Sequence, residues 1–140
     1  MNEISIVYAT MTKHSKKIAE AVGAALQVKA QNIKESPVLG ETGLLFIVTG
    51  IYGGENMPEL LEFVKKLDGT KVNNVALITS SVSIKGKQQG SIRKLLEEKE
   101  IKLLGNYHCF GNFTVVKLGH PNKTEISRAV DFAKALAKGV

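Results

Sequence analysis

The chain is poor in the residues that build stapled folds: one cysteine, Cys109, and three histidines are scattered through 140 residues. A lone cysteine forms no intramolecular disulfide, and dispersed histidines supply no ligand cluster of zinc-type spacing. No apolar run approaches the roughly 20 residues that span a bilayer, which argues against a membrane protein. The opening MNEISIVYAT also lacks the basic start and small-residue cleavage site of a secretory signal, so a cytoplasmic location is expected. No Walker-type GxxxxGK, Ser-His-Asp order or paired carboxylate set occurs, leaving nucleotide-triphosphatase and hydrolase readings without support. Internal repeats and low-complexity linkers are absent too, so one domain spanning 1–140 is expected.

What the sequence does contain is an ordinary globular composition, 44% hydrophobic and 23% charged, too apolar for a disordered chain. Nineteen basic against thirteen acidic residues give a net charge of +6, which favours acidic partners or anionic ligands at long range. The basic residues are interleaved with glutamates in KKIAE, EFVKK and RKLLEEKE, and no RNA-reading motif or aromatic stripe accompanies them. Nucleic acid is therefore not expected as a partner.

Periodicity sets the order of elements. Ile4 to Ala9 is a short β-branched, apolar run, followed by SKKIAEAVGAALQ, in which Ile18, Ala21, Val22, Ala25 and Leu26 recur at helical spacing. A weak strand near Val28 to Ile33 leads through a Pro/Gly-containing loop to GLLFIVTG, a continuous apolar run of the kind buried on both faces of a parallel sheet. Pro58 suits the first turn of the helix PELLEFVKKL, whose apolar face is Leu60, Leu61, Val64 and Leu67, and Gly69 ends it. NNVALITS is a further strand, SIRKLLEEKE a helix, IKLLGNYHCFGNFTVVKL a last extended region, and about Asn122 to Lys138 an amphipathic helix. The alternation β-α-β-β-α-β-α-β-α predicts an α/β fold: a doubly wound parallel sheet with right-handed crossovers and helices on both faces. Ligands of such sheets bind beyond the carboxyl ends of the strands, where the strand order reverses.

Three loops fall there. The first, Thr10-Met11-Thr12-Lys13-His14-Ser15, brings three hydroxyls to a helix N-terminus, where free N–H groups and the helix dipole favour an anion; Ser15 taken alone reads more simply as an N-cap. The second, Thr49-Gly50-Ile51-Tyr52-Gly53-Gly54-Glu55, carries three glycines in five positions, suiting a backbone that approaches a ligand closely or adopts unusual dihedrals. The third, from Ser80-Ser81-Val82-Ser83 to Gly90, is polar and flexible in composition. Histidine as a residue type can exchange a proton near neutral pH, which makes His14 and His108 candidate proton donors, although an ordinary surface or core histidine is the commoner case.

The string T-M-T-K-H-S after IVYA resembles the phosphate loop of the flavodoxin family, Ser/Thr-x-Thr-Gly-x-Thr/Ser, with Lys13 in place of the usual glycine. Tyr107-His108-Cys109-Phe110-Gly111 is similar to the Phe/Tyr-x-Cys-x-Gly stretch at the end of strand five in small flavodoxin-like proteins. The resemblance extends over the whole chain and implies a five-stranded sheet of order 2-1-3-4-5. It also implies non-covalently bound FMN. The phosphate would lie against Thr10, Met11, Thr12, Lys13, His14 and Ser15, and the ring against Ile51, Tyr52, Gly53, Gly54, Ser80, Ser81, Val82 and Ser83, with Cys109 nearby. Many flavodoxins stack an aromatic in the loop after strand four; here Val82 or Ile84 stands available instead.

The function implied is electron transfer to a partner reductase that uses flavin or an iron–sulfur centre. The basic balance predicts an acidic docking surface on that partner, over a rim of Lys13, Lys16, Lys85 and Lys87, and a less negative potential than acidic flavodoxins have. Two alternatives stay open. One is a small FMN-dependent NAD(P)H/quinone-type reductase, and the other a degenerate flavodoxin-like module that binds protein without FMN.

Overall fold

The computed structural model describes residues 3–9, 14–35, 39–52, 55–56, 58–81, 90–110 and 123–138. Within these, the side chains of 14–15, 50–52, 55–56, 58, 80–81, 90–91, 108–110 and 123–125 are not described. The elements are β1 (Ile4–Ala9), α1 (His14–Leu26), β2 (Ala30–Asn32), a 3-10 turn (Ile33–Glu35), β3 (Thr42–Tyr52), β4 (Glu55–Asn56), α2 (Pro58–Lys65), β5 (Val72–Ser81), α3 (Gly90–Glu98), β6 (Lys102–Phe110) and α4 (Lys123–Lys138).

The main sheet runs β2-β1-β3-β5-β6, and every neighbouring pair along that path is parallel. Numbered along the chain without the two-residue β4, this is the order 2-1-3-4-5 expected from the sequence. β4 lies off the path, antiparallel to the end of β3 through Ile51↔Asn56 and Tyr52↔Glu55. Two residues offer too little periodicity for such a strand to be read in advance.

Strand alternation divides the interior in two. Val7, Leu45, Ile47, Val75 and Leu77 point to one face and pack with Leu60 and Val64 of α2 and with Ile92 and Leu96 of α3. Ile6, Leu44, Phe46, Val48, Ala76 and Ile78 point to the other and meet Ile18 and Val22 of α1 and Ala129 and Ala133 of α4. Period two puts successive side chains on opposite faces, so a strand covered on both faces must be apolar throughout, as Leu44–Val48 is. The buried stripe of α1 is Ile18, Ala19 and Val22, while Ala25, which the spacing placed in it, is exposed. At 100° per residue the stripe is centred between Val22 and Ala19, which rotates Ala25 to its solvent flank.

Two helices end in the same way. Gln27 after α1 and Glu100 after α3 have φ of 60° and 59°. Val28 N–H donates to Gly23 C=O at 2.9 Å and Ile101 N–H to Leu96 C=O at 2.9 Å, the 6→1 bond of a Schellman cap. A side chain at Gly23 would collide with the Val28 carbonyl, so glycine is what lets β2 start this close to α1. At the sheet's far edge the β5/β6 register slips between Val75↔Leu103 and Ala76↔Gly105, leaving Leu104 as an extra residue in β6. Gly105 lies beneath the Phe132 ring, whose centroid is 5.7 Å from that of Tyr107.

Candidate functional site

Because the four longest strands are parallel, their carboxyl ends come to one edge, and the register shows which residues share it. Ala9, Thr49, Thr79 and His108 form one row across β1, β3, β5 and β6. Gly50, Ser80 and Cys109 form the next, and Ile51, Ser81 and Phe110 the last. Adjacent strands lie about 4.8 Å apart, so each three-strand row spans roughly 10 Å, comparable with a fused aromatic ring system.

The strands run further into this edge than the sequence suggests. The runs GLLFIVTG and NNVALITS end at Gly50 and Ser80, whereas β3 continues through Ile51 to Tyr52 and β5 to Ser81, where loop was expected. The reason is non-local: Gly50 and Ile51 are held by pairing with Ser80 and Ser81, and no window of single-strand propensity contains that pairing. Thr49 and Thr79, one row in, are fully buried, and neither is without a partner. Both threonines fall inside the apolar runs GLLFIVTG and NNVALITS, which place them in strands.

α1 begins at His14, directly beyond the end of β1, so His14 and Ser15 occupy its first turn. Ser15 therefore lies inside the helix rather than at its N-cap. The first turn holds no acidic residue and instead holds Lys16 and Lys17, both exposed. The first N–H groups of a helix have no intrahelical acceptor and carry about half a positive charge, which acidic side chains ordinarily offset. Here nothing in the first turn does so, and the two lysines add to the potential. The arrangement suits an anion better than it suits the isolated helix.

Of the residues singled out from sequence, Ile51, Tyr52, Ser80, Ser81 and Cys109 come together in strands at the edge, with His14 and Ser15 in the adjoining helix turn. Thr10, Met11, Thr12, Lys13, Gly53, Gly54, Val82 and Ser83 lie outside the described residues. So do the rim residues Lys85 and Lys87. Gly53 and Gly54 fall between the paired positions Tyr52 and Glu55. Among the described residues no group of three or more His, Cys, Asp or Glu side chains is placed to hold a metal ion. Nor is any described helix long and apolar enough to cross a membrane.

No family model matches the chain. An uncharacterized protein of Methanocaldococcus jannaschii is 30% identical over 139 residues, covering 90% of this chain and 91% of that one. Among solved structures, a short-chain flavodoxin associated with a PDU bacterial microcompartment superposes with a TM-score of 0.74 at 18% identity, covering 99% of both chains. The flavodoxin of Streptococcus pneumoniae TIGR4 superposes with a TM-score of 0.68 at 18% identity, over 98% of this chain and 99% of that one. The sheet order, the two helical layers and these likenesses agree: together with the Methanocaldococcus protein, the chain belongs to a family of flavodoxin-like fold.

Proposed function

We propose that this protein binds FMN at the carboxyl edge of its sheet and carries electrons to a partner protein. The observation that carries the reading is the meeting of the α1 N-terminus, without an acid in its first turn, with the rows Gly50-Ser80-Cys109 and Ile51-Ser81-Phe110. The edge lies where the strand order reverses, β1 leading outward to β2 and the chain then returning to β3 on its other side.

The donor set fits the cofactor. The first-turn N–H groups at His14 and Ser15 would receive the phosphate, with the hydroxyls of Thr10, Thr12 and Ser15 and the charge of Lys13 completing the cradle. The edge residues Ile51, Tyr52, Ser80, Ser81 and Cys109, with Gly53, Gly54, Val82 and Ser83, would face the ring. When bound, flavin supplies the one- and two-electron chemistry. The protein's contribution is to hold the ring at the end of a rigid parallel sheet, to offer backbone groups beside it and to set the local charge.

That charge is positive. A net charge of +6, with Lys16 and Lys17 exposed at the α1 turn, favours the anionic reduced state and an acidic partner surface. The potential is therefore expected to be less negative than in acidic carriers. The partner in this reading is a flavin or iron–sulfur reductase of the cytoplasm. Anaerobic mixing of the FMN-loaded protein with NADH or NADPH alone tests the carrier reading. The flavin absorbance should stay unbleached until a separate reductase is added, and direct bleaching by the nicotinamide would assign the protein to the reductases instead.

A further inference from the structure

Parallel strands are joined by crossovers that usually carry an α-helix. Here α1, α2 and α3 fill that role, but the β2–β3 connection carries only the 3-10 turn Ile33–Glu35 among the described residues. Beside it, along α2, opens a cavity of about 600 Å³ with an apolar lining of Ile33, Leu39, Phe63, Leu67 and Val72. Leu39 and Phe63 are only partly buried, so apolar surface faces the space. The volume falls within the roughly 300–1,000 Å³ of small-molecule sites. None of the edge-row residues lines it, so it is a separate site from the proposed flavin edge.

The rim carries three lysines and three acids, and local partners account for the acids unequally. Asp68 accepts hydrogen bonds from Thr70 N–H at 2.8 Å and Thr70 Oγ1 at 2.6 Å, and Lys71 acts on it electrostatically. Glu62 pairs with Lys65 at 3.4 Å. Glu59 stands in the first turn of α2, where the helix dipole opposes its charge. Lys34 and Lys66 make no ion pair among the described residues, so two ammonium groups remain over the apolar floor. The +6 field of the whole chain adds to their attraction for an anion.

We propose that this groove binds a small amphipathic anion: an aliphatic or aromatic body seated on Leu39 and Phe63, with a single carboxylate or sulfonate held by Lys34 and Lys66. Titration of the full-length protein with decanoate, followed by amide chemical shifts, tests it. Saturable shifts at Leu39, Phe63, Leu67 and Val72 are expected. Decylamine, with the same body and the opposite charge, should bind at least tenfold more weakly. Lys34→Glu and Lys66→Glu together should weaken decanoate by about tenfold or more, the usual cost of losing a charge-assisted contact. The melting temperature should change little, and FMN affinity should fall by far less than that of decanoate. Non-saturating shifts, shifts confined to the flavin edge, equal binding of decylamine, or undiminished decanoate binding by the double variant would each overturn the proposal.

Discussion

Reversing the charge of Lys17 separates the two demands placed on the first turn of α1. Lys17 is exposed, lies within that turn, and has no acidic residue beside it there. An acid at this position interacts favourably with the helix dipole by about 0.3–1 kcal/mol. Glu20, three residues on, would repel it by a few tenths, leaving a net gain of about 0.5 kcal/mol in fold stability for Lys17→Glu. The effect on a bound phosphate has the opposite sign. Two unit charges one Debye length apart, about 8 Å, interact by about 0.5 kcal/mol in water. Going from +1 to −1 against a doubly charged phosphate involves four such pairs, about 2 kcal/mol unscreened and about 0.8 kcal/mol at physiological salt. FMN should therefore bind about three- to fourfold more weakly to the variant. Riboflavin, which lacks the phosphate, should bind both proteins alike, and the difference for FMN should shrink toward 1 M salt. Urea unfolding gives the stability, and fluorescence titration gives the two affinities. Equal weakening of FMN and riboflavin, or no change in FMN binding at low salt, would refute the placement of the phosphate at this turn.

Three further expectations concern the scaffold. Gly105→Leu should destabilise by about 1–3 kcal/mol through overpacking, because a Cβ there stands 3.2 Å from two carbons of the Phe132 ring and 3.4 Å from Leu136 Cδ1; thermal melts check this, and an unchanged midpoint would show that α4 moves aside freely. Glu100→Gly should stabilise by about 1 kcal/mol, since Glu100 is exposed and held at φ 59°; a loss of stability in urea unfolding would mean that its side chain makes a contact worth more than the strain. The Thr70 hydrogen bonds hold the Asp68 carboxyl below its ordinary range. A depressed folded pKa makes a contribution that is present above the unfolded pKa of about 3.9 and is lost as pH falls through the folded one. The stability advantage of the native protein over Asp68→Asn should accordingly hold above about pH 3.9 and shrink as pH falls below it, and a difference that stays constant through that fall would count against the assignment.

The parts of this fold that were legible in the sequence are those whose environment is uniform along the chain. Leu44–Val48 reads as a central strand because helices cover both its faces, and Leu60 and Val64 read as a helix face because the sheet beneath them is continuous. β2 was legible only approximately: its three residues, Ala30–Asn32, sit half-buried at an edge, where polar and apolar side chains are both tolerated. The site divides in the same way. Hydroxyls and glycines after the strands mark the edge locally. That Ile51 stands opposite Ser81, and Ser80 opposite Cys109, comes from register between segments about thirty residues apart. The groove beside α2 had no local signal either. Among the described residues the β2–β3 crossover carries a 3-10 turn and no α-helix, and the partners of the three rim lysines are decided only in the folded chain.

Amide shifts on titration with FMN, read against the flavin's own fluorescence and visible spectrum, test the central claim most directly. The account predicts saturable binding with a shifted flavin spectrum. Shifts should concentrate at Ala9, His14 to Lys17, Thr49 to Tyr52, Thr79 to Ser81 and His108 to Phe110, while Glu3, Thr42 and Val72 at the opposite ends of the strands stay still. Failure to bind FMN, or binding whose shifts fall at those opposite ends, would contradict it and leave a flavodoxin-like module that works without flavin at this edge.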